Sequence, residues 1–506
     1  MGGRRPRRHR REGRERRSAS ESIPQNLSQP VHSLPVYELL DEDKVELIHQ
    51  KSLELLSESG VVFYLDEARE ILKTHGARVD GEMVYFDPEL VMEYIAKAPS
   101  EFTQLARNPE KSVKIGGNYM VFAPVYGPPF VYDSKRGRRE ATLEDFQKFI
   151  KLAYLSPYIH HSGGTIVEPT DIPASTRHLD MLYSHIAFSD KPFMGSVMSR
   201  ENAEDSVKMA EILFGAEEIR ESPALLSLIN ISSPRRLDDR MLEALTVYAR
   251  ARQATIITPF ILSGAMAPVS IPGTLIQQNA EALAGIVYAQ MVEAGAPIVY
   301  GSFMTNVDLK SGSPVFGSPE SQLALYASAQ MARRYNLPFR SGGMFASSKI
   351  SDAQSAYESV MTMLPAVQGR VNFVLHAAGW LENGLSAGYE KFVLDCDILG
   401  AFYRFLKGLD FSEENLALES IREVAPGGHH LGTPFTLERF TTAFYRSELA
   451  DYNDFDTWVE EGRQTAEERA TGKVNSLLND YKNPPLDDAV DEELRAFVEK
   501  RKAALA

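Results

Sequence analysis

The amino-acid sequence predicts an α/β protein built on a (β/α)8 barrel. Eight short apolar runs, each introduced by a turn, recur at intervals of roughly 31 to 42 residues, the length of a strand, a loop, a helix and a return loop. They begin near Met120, Ile159, Lys191, Ser222, Ala254, Ala296, Leu337 and Val371. A doubly wound open sheet uses the same units, but no nucleotide-binding glycine fingerprint follows the first strand. The barrel is therefore the preferred prediction and the open sheet is the alternative.

Length and composition divide the 506-residue chain into four predicted regions. A barrel takes about 250 residues as one domain, so the remaining residues are expected to form extensions at both ends. The predicted regions are an arginine-rich tail at 1–35, an N-terminal helical extension at 36–115, the barrel at 116–408 and a C-terminal helical extension at 409–506. A hydrophobic fraction of 43% is sufficient for a large buried core.

The charge distribution sets the tail apart from the rest of the chain. Residues 1–17 carry nine arginines against Glu12 and Glu15, whereas the whole chain has a formal charge of −15. Polar residues follow up to about position 35, with no apolar run of the kind that a secretory signal needs. We therefore expect a disordered tail, and the acidic body argues against nucleic-acid binding.

Two further observations bound the class of protein. No apolar run reaches the roughly 18 residues of a membrane span, so no membrane segment is expected. Cys396 is the single cysteine, which excludes an internal disulfide and a thiolate cluster. A lone cysteine fits a reducing compartment. The sequence therefore predicts a cytoplasmic globular protein.

The region before the barrel predicts a helical preface. Its periodicity and turn residues place a helix at Leu39–Glu58, another at Asp66–His75, a hairpin at Val79–Phe86 and a helix at Glu89–Ala98. We expect this region to pack on the barrel, and it shows no residues that indicate chemistry.

The seventh unit, Leu337–Glu358, contains the most informative loop. Its strand is short, Gly342 and Gly343 break it, and a polar loop through Lys349 follows. Asp352 is placed to cap the next helix, which has one apolar face. A polar loop between apolar flanks is typical of an active-site loop above a rigid scaffold.

The other strand ends argue against several kinds of site. His160 and His161 end the second unit, but neighbouring side chains of a strand point to opposite faces, so the two are a poor chelating pair. The third, fourth and fifth units end in small or neutral residues. A phosphate site would need glycines with a basic residue at a helix start, and a metal site would need carboxylates or histidines. Neither pattern is evident.

Aromatic residues are concentrated at the strand ends. They are Tyr126, Phe130, Tyr300, Phe303, Phe345 and Trp380. Aromatic faces attract a quaternary ammonium with about 0.5 to 2 kcal/mol each, and a cage of them is the usual receptor for choline-like groups. Barrel packing explains any single one of these residues equally well, but the set favours a site for an organic cation.

Three motifs carry a resemblance to a known family. They are GGMFASSKISDAQSAYE at 342–358, GWLENGLSAGYEKFVLDCDILG at 379–400 and APGGHHLGTPFT at 425–436. Together they resemble the trimethylamine methyltransferase family, from about residue 35 to the end of the chain. Every position is a standard residue, so the sequence is similar to the branch without pyrrolysine, which is typified by glycine betaine methyltransferases.

The resemblance implies an enzyme that moves a methyl group from a quaternary amine, such as glycine betaine, to Co(I) of a separate corrinoid protein. The cobalamin-ligating motif DxHxxG is absent from the chain, so we expect no tightly bound cofactor and a corrinoid supplied by the partner. That partner would approach the carboxyl ends of the barrel strands. A homo-oligomer is also expected, and the identity of the amine stays open.

A substrate of this kind would need aromatic residues to hold the cation and an anchor for its carboxylate. The candidates are Tyr126, Phe130, Tyr300, Phe303, Phe345, Lys349, His376 and Trp380. Lys349, Arg340 or His376 would anchor a carboxylate, although Lys349 is equally well placed to pair with Asp352 or Glu358. No catalytic acid or base is assigned, because a quaternary amine leaves as a neutral tertiary amine and needs no proton.

Two groups outside the barrel loops complete the assignment. His429 and His430, in a glycine loop, are candidates for contact with the corrinoid partner, and an ordinary surface loop is the alternative. Asp395 and Asp397, in the last barrel helix, are expected to be solvated or to pair with a neighbouring helix.

Two other functions stay open at the level of the sequence. A metal-dependent barrel hydrolase or lyase would need His160, His376, Glu168 and Asp308 to converge. A non-catalytic betaine-binding protein would bind the amine without transferring a methyl group.

Overall fold

The computed structural model describes residues 27–505 and has a parallel β-sheet at its centre. Its strands are β1 Val121–Phe122, β2 Phe193–Met194, β3 Leu225–Ile231, β4 Ala254–Ser263, β5 Ile298–Gly301, β6 Phe339–Gly342 and β7 Phe373–Leu375. They lie in the order β2-β3-β4-β5-β6-β7-β1, and every neighbouring pair is parallel. The chain is thus a mixed α/β protein, and seven of the eight predicted strands are confirmed.

The second predicted strand is replaced by an irregular segment, residues 160–163, which lies between β1 and β2. Its backbone bonds to β1 through His160 N and Phe122 O (3.0 Å), and it accepts one hydrogen bond of 2.8 Å from β2. Two other backbone N–H groups donate to imidazole nitrogens. Phe122 N donates to Nδ1 of His160 (3.0 Å), and Gly163 N donates to Nδ1 of His161 (2.9 Å). Because side chains replace the backbone acceptors of a regular strand, the hydrogen-bonded ladder is not closed here.

Helices alternate with the strands and cover the outside of the sheet. They are Leu143–Leu155, Arg177–Phe188, Arg200–Phe214, Ala216–Glu221, Asp239–Arg250, Ile271–Val292, Pro319–Arg334, Ala353–Gln368 and Tyr389–Leu406. The predicted cap is confirmed, because the Asp352 carboxylate accepts a hydrogen bond from Ser355 N (2.9 Å). Thr142 and Asp145 form a capping box at the first of these helices.

Further strands lie around the central sheet. They are Phe130–Asp133, Gly137–Glu140, Trp380–Leu381 and Ser386–Gly388 in one small sheet, Arg236–Leu237 beside the N-terminal strands, and Phe303–Val307 with Pro314–Val315 after β5. The Phe303–Val307 strand pairs with the end of β4, with Phe260 opposite Phe303. It therefore carries Phe303 to the carboxyl end of the sheet.

Strand residues alternate between two apolar layers. Ile298 and Tyr300 of β5 pack in the outer layer with the helices, whereas Val299 packs inside with Val121 and Phe373. Both faces of the strands are buried, as expected for a parallel sheet covered by helices. A side chain on these strands therefore faces either the helices or the interior of the sheet, according to its position.

An antiparallel hairpin closes the amino-terminal end of the sheet. Its strands are Glu101–Gln104 and Val113–Gly116, and Phe102 and Ile115 join the interior apolar cluster. The carboxyl ends of the strands lie at the opposite end, which we call the mouth. In a parallel α/β sheet this is the end where functional loops meet.

The predicted N-terminal elements are present with small shifts. They are the helices Glu42–Glu58, Asp66–Thr74 and Pro88–Ile95, and the strands Val61–Phe63, Arg78–Asp80 and Met83–Tyr85. Most of the predicted disordered tail, residues 1–26, lies outside the described residues. The backbone of residues 27–35 finds partners at the base of the sheet: Met120 N donates to Pro30 O (3.0 Å) and His32 N donates to Asn118 O (2.8 Å).

The C-terminal region has two parts. The first, residues 409–460, contains the short helices Glu413–Leu416, Leu418–Glu423, Pro434–Arg439 and Phe455–Glu460, and we call it the arm. The second contains Ala466–Asp480 and Asp488–Leu505, which pack along the helices that cover the sheet. Within residues 27–505, no helix combines the length and the apolar character needed to cross a membrane.

Candidate active site

Five aromatic rings meet at the mouth, at the ends of β5, β6 and β7. They belong to Phe303, Phe316, Phe345, His376 and Trp380. Ring centroids are 4.5 Å apart for His376 and Trp380, 5.0 Å for Phe345 and Trp380, and 5.2 Å for Phe303 and Phe345. At these separations the rings contact one another. They form a continuous aromatic wall, of which Phe303, Phe345, His376 and Trp380 are predicted substrate-binding residues.

Two glycines allow the rings of the wall to lie where they do. A Cβ on Gly342, at the end of β6, would overlap the ring of Phe345. A Cβ on Gly384 would overlap the indole of Trp380, and Gly384 also has a positive φ of 88°. The sequence therefore has glycine at the two positions where a side chain would occupy the space of these rings.

Hydrogen bonds join the two loops that carry Phe345 and Trp380. Glu382 N donates to Ser348 O (2.7 Å) and Asn383 N donates to Ala346 O (3.1 Å). The buried Glu358 carboxylate accepts from Ser347 N (2.7 Å), which fixes the loop after β6 to the following helix. The two loops are thus tied to each other and to the helix after β6.

A buried ion pair lies under the same two loops. Lys391 and Asp395, one turn apart in the helix Tyr389–Leu406, are 2% and 1% exposed. Asp395 accepts from Gly379 N (2.8 Å), and Lys391 Nζ also lies 3.3 Å from Met344 O. The prediction of a solvated or helix-pairing Asp395 is wrong, because its partners are a lysine of its own helix and the backbone before Trp380.

Arg340 points from β6 into the interior beside the wall. It is 1% exposed, and its guanidinium carbon lies 5.3 Å from the centroid of the Phe303 ring. In the described part of the chain, its Nε and Nη1 have no hydrogen-bond partner. Burial lowers the pKa of the Arg340 guanidinium to about 9, which leaves it charged at neutral pH. A buried cation with two free donors is costly unless an anion binds to it.

His376 connects the arginine to β1. Its Nε2 lies 3.1 Å from Arg340 Nη2, and its Nδ1 lies 3.2 Å from Tyr126 N. Burial, followed by the charge of Arg340, lowers the pKa of His376 well below its ordinary value. A neutral imidazole accepts at one nitrogen only, so only one of these contacts is a hydrogen bond. His376 also has a positive φ of 63°, a strained backbone of the kind that occurs at functional sites.

Tyr126 lies on the side of the site formed by β1. Its side chain packs against the interior apolar cluster, and a Cβ on Gly164 would overlap its ring. Burial raises the pKa of the Tyr126 phenol, and Arg340 is near enough to oppose that rise. The predicted residues that the structure brings together are therefore Tyr126, Phe303, Phe345, His376 and Trp380.

Three predicted residues lie elsewhere. Tyr300 faces the helices, and its hydroxyl donates to Asn279 Oδ1 (2.9 Å), because its position on β5 places it in the outer layer. The Phe130 ring lies under the guanidinium of Arg138, at 3.5 Å, in the small sheet. Lys349 is exposed and its Nζ donates to Ser347 O (2.9 Å). The assignment of these three to the substrate site is not supported by the geometry.

His429 and His430 lie in the arm and are exposed. The arm leaves the body near Leu409, next to His32 at the base of the sheet. It rejoins the body at Tyr445, whose hydroxyl donates to Asp397 O (2.7 Å) in the middle of the last barrel helix. Both of its attachments are therefore away from the mouth, and the role of the two histidines in corrinoid-partner contact stays a prediction.

The four residues that a metal hydrolase would need have separate partners. His160 contacts the hydroxyl of Tyr403, Glu168 pairs with Arg177, and Asp308 caps an exposed turn. In residues 27–505, no three His, Cys, Asp or Glu side chains are grouped so that they could hold a metal ion. The geometry thus gives no support to that alternative.

Comparison with known proteins identifies the family. The family model described as trimethylamine methyltransferase matches residues 7–506. The chain belongs to this family.

Two relatives within the trimethylamine methyltransferase family cover most of the chain. The glycine betaine methyltransferase of Desulfitobacterium hafniense strain Y51 is 46% identical over 92% of this chain and 98% of its own length. The proline betaine:corrinoid methyltransferase of Eubacterium limosum is 30% identical over 85% of this chain and 92% of its own. Among solved structures, the monomethylamine methyltransferase of Methanosarcina barkeri aligns over 87% of this chain and 89% of its own, with 11% identity and a TM-score of 0.48.

The structure also shows which residues of the site the prediction from sequence missed. Phe316 belongs to the aromatic wall but lies in the long loop before the helix Pro319–Arg334, so no strand end pointed to it. Arg340 was considered only as one of three anchors. The available signal was its position, since a lone arginine in a four-residue buried strand is unusual.

Proposed function

We propose that this enzyme transfers a methyl group from a quaternary amine that carries a carboxylate, of the glycine betaine type, to Co(I) of a corrinoid protein. The observation that carries the proposal is the buried Arg340 with two unpartnered donors beside an aromatic wall. A betaine has both complementary groups on one small molecule, an anion for the arginine and a cation for the rings. The names of the two betaine methyltransferase relatives support the same assignment.

The carboxylate would bind to Arg340. Its Nε and Nη1 are both free to donate, and a hydrogen bond from a guanidinium N–H to a carboxylate oxygen is charge-assisted and therefore strong. Such a pair offsets the cost of burying the cation, which the described chain leaves without a counter-charge. Trimethylamine has no carboxylate and would leave this cost in place.

The ammonium would pack against the wall. Phe303, Phe345 and Trp380 contact one another, so they present one aromatic surface rather than a cage around an empty centre. Each ring face contributes about 0.5 to 2 kcal/mol to holding a quaternary ammonium. His376 and Tyr126 would complete the site beside Arg340. This pose leaves one N-methyl group directed away from the wall.

The reaction itself places few demands on the protein. The electron pair of Co(I) forms a bond to the methyl carbon, while the C–N bond breaks and its electron pair stays on nitrogen. The products are methyl-Co(III) and a neutral tertiary amine, so the charges balance without a proton donor. The neutral state of the buried His376 agrees with a site that has no general acid. The enzyme contributes the position and orientation of the methyl group.

The approach of the corrinoid follows from the fold. We propose that residues 160–163 occupy the position of the eighth strand of a (β/α)8 barrel, because their backbone forms hydrogen bonds with β1 on one side and β2 on the other. The corrinoid partner would then present its cobalt at the mouth, where the wall lies. We also propose that the enzyme works as a homo-oligomer in the cytoplasm.

A matched pair of substrates tests the proposal. Purified enzyme is mixed anaerobically with Co(I) cobalamin and either glycine betaine or choline, which has the same trimethylammonium group but a hydroxymethyl group in place of the carboxylate. We expect glycine betaine, or another carboxylated quaternary amine such as proline betaine or carnitine, to convert the Co(I) absorbance to that of methyl-Co(III). Choline and trimethylamine should be at least tenfold slower. Equal rates for choline would contradict the role of the carboxylate.

A further inference from the structure

The arm, residues 409–460, has an unusual surface. Of the 24 large apolar side chains that are exposed in residues 27–505, eleven lie between Leu409 and Phe455 of the arm. None of the four short helices of the arm makes an extensive contact with another described helix or strand. Exposing so many apolar side chains to water is unfavourable, and a large exposed apolar surface usually marks a protein interface.

The exposed area of the arm is large enough for a stable contact. Its aromatic side chains are Phe411, Phe440, Phe444, Tyr452 and Phe455, with exposed fractions from 67% to 87%. At about 200 Å² for each aromatic side chain, these residues alone expose on the order of 700 Å². The six exposed aliphatic residues of the arm raise the total above the roughly 800 Å² that each partner buries in a specific interface.

A complementary groove lies at the root of the arm. It has a volume of about 590 Å³ and lies between Leu34, Gln368, Phe405 and Leu409, at the base of the sheet. Phe405, at the end of the last barrel helix, is 47% exposed along it. One chain therefore exposes both the apolar side chains of the arm and an apolar groove, which the first arm residues, Leu409 and Phe411, help to line.

We propose that the occupant of this groove is the arm of a second copy of the chain. If the arm of each copy enters the groove of the other, the two copies are related by a two-fold axis. The same contact then occurs twice, and the assembly is a closed dimer. The corrinoid partner does not fit this surface, because its cobalt must reach the mouth, whereas the groove lies at the opposite end of the sheet. The inference is independent of the proposed substrate.

Sedimentation equilibrium of the full chain tests the proposal with two variants. Phe440→Asp/Phe444→Asp alters the arm, and Phe405→Asp alters the groove. The matched control is Val269→Asp/Leu309→Asp, because Val269 and Leu309 are 73% and 72% exposed but lie outside the arm. We expect the wild type to sediment at twice the chain mass or more, and each test variant to raise the dissociation constant at least tenfold. The control should associate like the wild type.

Mixing the two test variants adds a specific readout. In a mixed pair, the intact arm of the Phe405 variant meets the intact groove of the arm variant, so one of the two contacts is restored. We expect the mixture to associate more tightly than either variant alone, with circular dichroism showing that both are folded. A monomeric wild type would overturn the proposal. Self-association that neither variant changes, or a mixture no tighter than its parts, would overturn it as well.

Discussion

At the scale of single residues, Arg340 has the clearest experimental consequence. Arg340→Met removes the charge but keeps the length of the side chain. Loss of a charge-assisted pair of hydrogen bonds costs about 1.5 to 3 kcal/mol, so we expect the KM for a carboxylated amine to rise about 10- to 100-fold. The thermal midpoint should rise at the same time, because a buried unpaired charge is removed. A methyl-transfer assay and a melting curve measure the two effects.

Lys349→Met is the matched control for that substitution. Lys349 was an equal candidate for the anchor by sequence, but it is exposed and bonds to its own loop. We expect its KM to stay within about twofold of the wild type. Should the lysine variant lose affinity while the arginine variant keeps it, the anchor has been assigned to the wrong residue.

Gly342→Ala tests the position of the wall. The added methyl group would overlap the Phe345 ring, so the ring must turn away from its neighbours. The same methyl group would lie 2.9 Å from the backbone oxygen of Leu375, so we expect a rise in KM of at least tenfold together with a loss of stability. Gly472→Ala is the control, because it lies in the helix Ala466–Asp480 with no atom within 4 Å of the added group. That change should stabilise the chain by about 1 kcal/mol and leave KM unchanged.

The same residues show what a sequence can and cannot reveal about a site. Phe303, Phe345 and Trp380 were predicted, because aromatic residues at strand ends gather at one end of a parallel sheet, and His376 was predicted as a carboxylate anchor. Tyr300 and Phe303 looked equivalent, yet only Phe303 reaches the mouth. Both faces of β5 are apolar, so the sequence lacks the polar alternation that would have shown which side faces the helices.

At the scale of elements, the two loops at the mouth are held by the ion pair beneath them. The Asp395 carboxylate accepts from Gly379 N, immediately before Trp380, and Lys391 reaches Met344, immediately before Phe345. Burial raises the pKa of Asp395 to about 6 and lowers the pKa of Lys391. A pKa of about 6 leaves Asp395 ionised at neutral pH, where its carboxylate accepts from Lys391 Nζ. We expect the pair to position both rings of the wall.

A mutant cycle separates positioning from stability. Asp395→Leu alone leaves a buried ammonium and should lose about 3 to 5 kcal/mol of unfolding free energy, whereas Lys391→Met/Asp395→Leu should recover most of it. The fluorescence of Trp380 is recorded in a Trp458→Phe background, in which it is the single tryptophan. In the double variant we expect its emission to stay shifted from that of the wild-type pair, and KM to stay raised. A double variant that is wild-type in fluorescence and KM would show that the pair is only structural.

An exposed ion pair is the control for that cycle. Lys51 and Glu54 lie on a surface helix and are about half exposed. Glu54→Ala should change the unfolding free energy by less than about 1 kcal/mol and should leave the fluorescence of Trp380 unaltered.

The elements themselves were largely predictable. Seven strands begin within a few residues of the predicted positions, because short apolar runs between turns are a strong signal for buried strands. The prediction of the second strand was wrong for a local reason. His160 and His161 use their imidazoles as acceptors for the backbone donors around them, and apolar periodicity contains no information about such side-chain bonds.

At the scale of the whole molecule, buried histidines, among them His160, His161, His185 and His376, link folding to pH. Burial lowers the pKa of His160 to about 3 and that of His185 to about 4, and it lowers the pKa of His161 and His376 well below 6.5. These groups stay neutral in the folded chain, whereas the unfolded chain protonates them below about pH 6.5. The unfolded state therefore binds more protons in this range, and the unfolding free energy falls as pH decreases.

Each such histidine contributes a slope of up to about 1.4 kcal/mol per pH unit between its unfolded and folded pKa values. Asp395 acts in the opposite direction between about pH 4 and 6, because its raised pKa keeps it protonated in the folded state. Burial also lowers the pKa of His32 and His49, which act with these histidines, and raises the pKa of Glu281, which acts with Asp395. The histidines are the larger group, so we expect a net loss of several kcal/mol between pH 7 and 5, measured by urea unfolding at both values. His376→Gln should remove one proton from the difference between the unfolded and folded states, and so lower the slope of the unfolding free energy against pH. The same substitution at the exposed His429 should leave the slope unchanged. A slope that is equal in all three proteins would mean that the buried imidazole accepts its proton without unfolding, with Arg340 displaced from its side.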